Sequence, residues 1–81
     1  MSELYDGKAP MTACLHDWLY HTGIVTRKRA DELFYEAMWY ESEHYKSLGQ
    51  YGIEDPVRLR MYQGVRDFGH SSYLGKPEDN D

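Results

Sequence analysis

Four side chains near the start of the chain have the types and spacing of a hydrolytic site: His16, Asp17, Tyr20 and Asp31. A histidine held by a carboxylate through one ring nitrogen keeps the other nitrogen to take a proton from water. Tyr20 follows His16 by four residues, so both fall on one face of a helix. Asp17 is turned about 100° from His16, where a carboxylate can hold a hard cation. These residues indicate acid–base chemistry on water, with a weak metal site at Asp17.

Two predicted helices position these groups. Pro10 suits the first turn of a helix, and apolar residues at helical spacing continue to Gly23, which predicts a first helix over residues 11–21. Thr26 is a suitable N-cap for a second, longer helix over residues 27–48.

The short connection between the two helices places His16 opposite Asp31. A link of about four residues usually makes neighbouring helices antiparallel. His16 lies seven residues before Gly23, and Asp31 lies five residues after Thr26. Both therefore sit about two turns from the bend, at roughly 1.5 Å per residue. We predict that the carboxylate of Asp31 accepts hydrogen bonds from His16 and from the hydroxyl of Tyr20.

A third helix and two irregular ends complete the predicted fold. Asp55 and Pro56 form an N-cap and a first-turn proline, which opens a helix over residues 57–68. The first nine residues show little periodicity and are predicted to form an irregular arm, and residues 77–81 a flexible acidic tail. We expect a single all-α domain over residues 1–76, with three helices and an antiparallel helix hairpin.

Size and composition limit the possible functions. The chain has 81 residues, a net charge of -5 and one cysteine. A chain of this length buries roughly 60% of its unfolded surface, which excludes a large multi-domain enzyme. The acidic balance disfavours nucleic acid and anionic lipid as partners. No apolar run approaches the roughly 20 residues of a membrane span and the start is unlike a signal peptide, so a cytoplasmic protein is expected.

The chain has more aromatic residues than a core of this size can bury, with eight Tyr and two Trp. Such rings combine apolar area with a polar edge, which is typical of partner surfaces. We predict an interaction surface at Trp39, Tyr40, Tyr51 and Tyr73; the alternative is that these rings cover a thin core. Small domains with few stabilising devices often associate, so a protein partner or a homo-oligomer is expected.

Basic residues leave one further alternative open. The Arg-Lys-Arg run at residues 27–29 could join Arg58, Arg60 and Arg66 in a basic face for phosphate or nucleic acid. The other interpretation is a solvated first helical turn, which the acidic balance favours. No nucleic acid partner is therefore expected.

Two segments resemble a known enzyme superfamily. Residues 16–20 read HDWLY and residues 29–35 read RADELFY, and together they resemble the catalytic helices of the phospholipase A2 superfamily. In that superfamily the histidine is the general base, the adjacent aspartate binds Ca²⁺, and an aspartate on the next antiparallel helix orients the histidine.

This resemblance implies a role for each residue. His16 would be the base, Asp17 a Ca²⁺ ligand, and Asp31 the orienting carboxylate, with Tyr20 as its hydroxyl partner. The superfamily also uses a glycine-rich calcium loop. The candidate segment here, residues 5–10, has a single glycine, so the calcium loop lacks a clear counterpart and enzymatic activity stays open.

Residues 13–73 also resemble family 1353 of the domains of unknown function, which comprises small phage and bacterial proteins. The shared features are the HDxLY start, the turn before the AD pair at residues 30–31, and the ending MYQGVRDFG at residues 61–69. We expect a small phage-type accessory or structural protein, in the host cytoplasm or the virion, that binds another protein through a phospholipase-like scaffold and needs no cofactor. The alternative is a Ca²⁺-dependent lipid hydrolase.

Overall fold

Three α-helices make up most of the structure, a computed structural model that describes residues 8–81. The elements are α1 (Pro10–Thr22), α2 (Arg27–Ser47), α3 (Asp55–Phe68) and two short 3₁₀ turns at His70–Ser72 and Pro77–Asp79. All regular structure in the described part of the chain is helical, so the predicted all-α class is confirmed. The predicted N-terminal arm lies almost wholly outside the described residues. None of the helices within residues 8–81 has the length and apolarity for a membrane crossing.

Local sequence explains where the first two helices begin and end. Pro10 opens α1, where its missing N–H needs no partner. Gly23 closes α1 in a left-handed conformation, with φ at 63°, and donates its N–H to the carbonyl of Leu19. The hydroxyl of Thr26 caps α2 by accepting a hydrogen bond from the N–H of Arg29 at 3.1 Å. The predicted bounds of all three helices agree with the structure to within two residues.

Both α1 and α3 pack against α2. Near the start of α1, Thr12 contacts Glu41, whereas His16, one turn later, contacts Asp31. Because the numbering rises along one helix and falls along the other, α1 and α2 form the predicted antiparallel hairpin. The main apolar core consists of Ala9, Phe34, Met38, Ile53, Met61 and Val65. Removing this surface from water supplies most of the driving force for folding.

The chain after α3 folds back over the end of α1. The N–H of Leu74 donates to the carbonyl of Tyr20 at 2.9 Å, and the hydroxyl of Tyr73 donates to the carbonyl of Val25 at 2.7 Å. Tyr73 is only 6% exposed, so its assignment to an interaction surface is wrong. Its ring packs edge-on against Tyr20 with the ring centres 5.5 Å apart, in a second apolar cluster.

The acidic segment at residues 77–81 has defined contacts with the helical body. Nη2 of Arg66 donates to the carbonyl of Asp81 at 2.6 Å. The side-chain amide of Asn80 donates to the carbonyl of His70 at 3.0 Å. The structure thus differs from the predicted flexible tail, because these hydrogen bonds hold the short turn against α3 and the turn that follows it.

Candidate functional site

His16 and Asp31 meet in the middle of the hairpin, as the sequence predicts. Nε2 of His16 lies 2.7 Å from Oδ1 of Asp31, and both residues are 0% exposed. The hydroxyl of Tyr20 donates to the same oxygen at 2.6 Å. Three of the four predicted site residues therefore form one buried, hydrogen-bonded group between α1 and α2.

Two arginines complete this group on its other side. Nη1 of Arg66, from α3, donates to Oδ2 of Asp31 at 2.7 Å, and Nη1 of Arg27 lies 3.5 Å from the same oxygen. Arg27 is 5% exposed and also donates to the carbonyl of Val65 at 3.1 Å. Its interpretation as part of a solvated first turn is therefore wrong, because its guanidinium fills the space between α2 and α3. We call these five residues the Asp31 cluster: His16, Tyr20, Arg27, Asp31 and Arg66.

The alternative of a basic face loses its support for the same reason. Besides the two arginines on Asp31, Nη1 of Arg29 lies 3.2 Å from a carboxylate oxygen of Glu36. Nη2 of Arg58 lies 3.1 Å from Oδ1 of Asp55. Four of the six cations considered for a basic face thus point at carboxylates of this chain.

Hydrogen bonding sets the charge state of the Asp31 cluster. Burial by itself raises the pKa of Asp31, but hydrogen bonds from His16, Tyr20 and Arg66 outweigh it and hold this pKa below its ordinary value. Burial, together with the carboxylate of Asp31, raises the pKa of Tyr20, which keeps its hydroxyl protonated. Asp31 is therefore an ionised acceptor on α2, with donors from α1 on one oxygen and a donor from α3 on the other.

Access to His16 decides what this arrangement can do chemically. A general base must lie within hydrogen-bond reach of the proton that it removes. The rings of Tyr20 and Phe34 lie with their centres 4.1 Å and 4.7 Å from that of the imidazole. Since His16 has no exposed surface, neither bulk water nor an ester can reach it in this conformation. The geometry fits a structural polar core better than a hydrolytic site.

Asp17, the predicted metal ligand, is exposed on α1 and lies outside the Asp31 cluster. Ca²⁺ takes about six to eight oxygen ligands. Within residues 8–81, no group of three or more His, Cys, Asp or Glu side chains is arranged to hold a metal ion. The described residues therefore do not fit a calcium site, and part of the segment compared with a calcium loop lies outside them.

A second buried carboxylate, Glu41, holds the start of α1 and was not singled out from the sequence. Its Oε1 accepts from the N–H and the hydroxyl of Thr12 at 2.8 Å and 2.6 Å, and its Oε2 accepts from the N–H of Met11 at 3.2 Å. The hydroxyl of Tyr45 also donates to it. The N-cap residue of α1, Ala9, offers no side-chain acceptor, so Glu41 caps α1 from the neighbouring helix.

Three of the predicted interaction residues remain exposed, on α2 and the loop after it. The rings of Trp39 and Tyr40 pack edge to face with centres 5.0 Å apart, and Tyr40 is 69% exposed. Tyr51 is 98% exposed and shares with Trp39 the lining of a cavity of about 460 Å³. We call Trp39, Tyr40 and Tyr51 the aromatic surface.

Together these features define a small all-α protein in which three helices are joined by a buried His–Asp–Tyr–Arg cluster. Residues 3–65 match the family described as "Protein of unknown function (DUF1353)", and the chain belongs to this family. The match confirms the resemblance to that family and includes His16, Tyr20 and Asp31, but ends just before Arg66. No curated protein and no solved structure matches the chain.

Proposed function

We propose that this protein is a small phage-type accessory or structural protein that acts by binding another protein. The Asp31 cluster is its scaffold, and the aromatic surface is its contact region. The full burial of His16 and Asp31 carries this proposal, because the residues best suited to chemistry have no access to a substrate. The phage assignment, and with it a place in the host cytoplasm or the virion, rests on the family resemblance of residues 13–73.

The Asp31 cluster supports a scaffold role because it joins all three helices. His16 and Tyr20 come from α1, Asp31 and Arg27 from α2, and Arg66 from α3. A buried hydrogen-bonded network of this kind orients helices and favours one packing arrangement. Such a device suits a domain that must present a fixed surface.

The aromatic surface supports a binding role because Trp and Tyr are enriched at protein interfaces and at their energetic centres. Trp39, Tyr40 and Tyr51 are exposed and adjacent to two cavities. Arg58 and Asp55 line both cavities, which adds polar groups beside the rings, as at the rim of a typical interface.

Quantitative comparison of co-purified proteins tests this function. We expect at least one protein of the host or phage to be recovered with the wild type and lost with the double variant Trp39→Ser/Tyr51→Ser. Leu59→Ser, which also changes an exposed apolar residue, is the matched control and should retain the partner. The melting temperatures of both variants verify that they are folded. The proposal fails if no protein depends on Trp39 and Tyr51.

The hydrogen bond of 2.7 Å between His16 and Asp31 favours a second candidate, a Ca²⁺-dependent lipid hydrolase of the phospholipase A2 type. Release of fatty acid from phosphatidylcholine and phosphatidylglycerol vesicles at millimolar Ca²⁺, abolished in a folded His16→Gln variant, would establish this activity in place of the scaffold. Absence of release from folded wild-type protein would eliminate it.

A further inference from the structure

The chain after α3 is held against the helices by one buried side chain and by hydrogen bonds. We call residues 70–81 the strap. Within the strap, Tyr73 alone is buried; its ring packs edge-on against that of Tyr20, and its hydroxyl donates to the carbonyl of Val25 at 2.7 Å. The N–H of the next residue, Leu74, donates to the carbonyl of Tyr20 at 2.9 Å. A segment with so little buried apolar surface opens locally at a lower free energy than the core of the domain.

Two members of the Asp31 cluster hold the strap as well as Asp31. Tyr20 donates its hydroxyl to Oδ1 of Asp31 at 2.6 Å, while its backbone carbonyl accepts from Leu74. Arg66 donates from Nη1 to Oδ2 of Asp31 at 2.7 Å and from Nη2 to the carbonyl of Asp81 at 2.6 Å. Both attachments of the strap therefore lead, through one residue, to the carboxylate that joins the helices.

Arg66 is the most exposed member of the Asp31 cluster. Its side chain is 20% exposed, whereas that of Asp31 is fully buried and that of Arg27 is 6% exposed. Because Asp81 is bonded to the guanidinium of Arg66, the strap lies on the side of the cluster that is nearest to water. Lifting the strap leaves Nη2 of Arg66 to water and uncovers one side of the ring of Tyr20.

Two glycines shape the strap and its attachment. Gly69, just before the strap, is buried, and a Cβ at this position would lie 2.8 Å from the hydroxyl oxygen of Tyr20, so α3 ends directly beside the Asp31 cluster. Gly75 follows the buried anchor, and a Cβ there would collide with the hydroxyl and the ring of Tyr73. The lack of a side chain at residue 75 therefore lets Tyr73 reach the carbonyl of Val25.

We propose that the strap opens as a unit while the three helices stay packed, and that its closure is coupled to the Asp31 cluster through Tyr20 and Arg66. Tyr73 completes the second apolar cluster, so opening the strap exposes the rest of that cluster to solvent. Coupling of this kind is reciprocal. A molecule that holds the strap open therefore weakens the grip of Arg66 on Asp31. The strap goes beyond the proposed binding function, because it gives the scaffold a second, regulated state.

Native-state hydrogen exchange of the full chain, followed by ¹⁵N NMR at low urea concentrations, tests whether the strap opens separately. The amide of Leu74 reports on the strap, and the amides of Phe34 and Met38 report on the core of α2, where both residues are fully buried. We expect the protection factor of Leu74 to be at least about 100-fold lower than those of Phe34 and Met38. It should stay constant with urea below the unfolding transition, because a local opening exposes little surface.

A matched pair of carboxylate variants tests the coupling from the Asp31 cluster to the strap. Asp31→Asn weakens the acceptor that holds Tyr20 and Arg66, so it should lower the protection factor of Leu74 by about fivefold or more. Glu36→Ala removes an exposed carboxylate from the same helix and should leave this protection factor within about twofold of the wild type.

A matched pair of glycine variants tests the coupling from the strap to the Asp31 cluster. Gly75→Ala displaces Tyr73 and should speed the exchange of the Tyr20 hydroxyl proton with water by about fivefold or more. Gly64→Ala is the control, because its Cβ would meet no atom within 4 Å, and it should leave this rate within about twofold. If Gly75→Ala fails to fold, Tyr73→Phe removes only the hydroxyl bonded to Val25 and should change the rate in the same direction.

Four results would overturn the inference. Protection of Leu74 equal to that of the α2 core amides, with the same dependence on urea, would make the strap part of one cooperative unit. A Leu74 amide without protection would show that the strap is not docked in solution. A Leu74 protection factor that is the same in Asp31→Asn and Glu36→Ala would make the strap independent of the Asp31 cluster, as would an equal exchange rate of the Tyr20 hydroxyl proton in the two variants that displace Tyr73 or leave it in place.

Discussion

Replacing Asp31 with alanine removes the acceptor that joins the three helices. The donors of His16 and Tyr20 are then buried without that partner, at about 1–3 kcal/mol each. Arg27 keeps the carbonyl of Val65 but loses a carboxylate at 3.5 Å, whereas the partly exposed Arg66 can turn to water. Because losses within one network are not additive, we expect about 3–5 kcal/mol, the range for breaking a buried ion pair.

That loss is a large share of the total stability. At about 0.05–0.15 kcal/mol per residue, 81 residues correspond to a free energy of unfolding of about 4–12 kcal/mol. Urea unfolding followed by far-UV circular dichroism measures the change. Glu36→Ala is the matched control, because Glu36 is an exposed carboxylate on the same helix, 3.2 Å from Arg29. It should change the free energy of unfolding by less than about 0.5 kcal/mol.

Asp31→Asn keeps the measurement possible if the alanine variant is unfolded in water. The amide retains one oxygen for His16 and Tyr20, but its NH₂ group faces the arginine donors, so we expect an intermediate loss. Equal free energies of unfolding for Asp31→Ala and Glu36→Ala would refute the scaffold role, as would an Asp31→Asn variant as stable as the wild type.

Three further perturbations test other parts of the structure by urea or thermal unfolding. Glu41→Ala removes the acceptor for Thr12 and Met11 at the start of α1 and should lower the free energy of unfolding by about 1–3 kcal/mol. Hydrogen bonds hold the pKa values of Asp31 and Glu41 below their ordinary 3.8 and 4.5. The stabilisation that these two carboxylates give to the folded state is therefore complete above about pH 5 and is lost as the pH falls through 4 and below. The loss should be less steep in Asp31→Asn, which lacks one of the two titrating groups. Gly64→Ala should raise the free energy of unfolding by about 0.5–1 kcal/mol, since its Cβ would meet no atom within 4 Å.

Each of these expectations has a contrary outcome. An unchanged free energy of unfolding in Glu41→Ala would show that water caps α1 equally well. A melting temperature that stays constant between pH 5 and pH 3 would mean that neither buried carboxylate is stabilised by its donors. A destabilised Gly64→Ala variant would indicate that the open side of α3 is more crowded than the structure shows.

The hairpin and its His16–Asp31 contact could be predicted because they depend on local features. Gly23 and Thr26 mark the end of one helix and the start of the next, and the short link between them leaves little freedom in how the helices pair. The number of residues between the bend and each side chain sets the register of α1 against α2. With the rise of the α-helix, this register places His16 and Asp31 at the same height. The same reasoning placed Tyr20 beside them.

The arginine partners of Asp31 could not be predicted in this way. Arg66 lies on α3, whose orientation against the hairpin depends on the packing of Met61 and Val65 rather than on any local spacing. Arg27 follows a helix N-cap, where a charged residue is usually solvated, and it is buried only because α3 passes beside it. Long-range packing thus decided the role of both arginines.

Two other differences have identifiable causes. Tyr73 was placed on the surface because the chain has more aromatic rings than a small core can bury, but the chain returns to α1, and the backbone of Leu74 satisfies the carbonyl of Tyr20. The burial of Glu41 against the start of α1 could have been inferred from the sequence. Glu41 lies seven residues after Phe34 on the apolar stripe of α2, and the N-cap residue of α1, Ala9, has no side-chain acceptor. A carboxylate on an apolar stripe indicates a buried partner.

Modification of the four histidines with diethyl pyrocarbonate measures directly whether a reactant in solution can reach His16. His21, His44 and His70 are exposed and serve as internal references in the same molecule. With peptide mass spectrometry of the folded protein at neutral pH, we expect these three to be modified while His16 stays protected until urea unfolds the chain. Modification of His16 at the rate of the exposed histidines in the folded protein would contradict a sealed, structural Asp31 cluster and would favour a catalytic one.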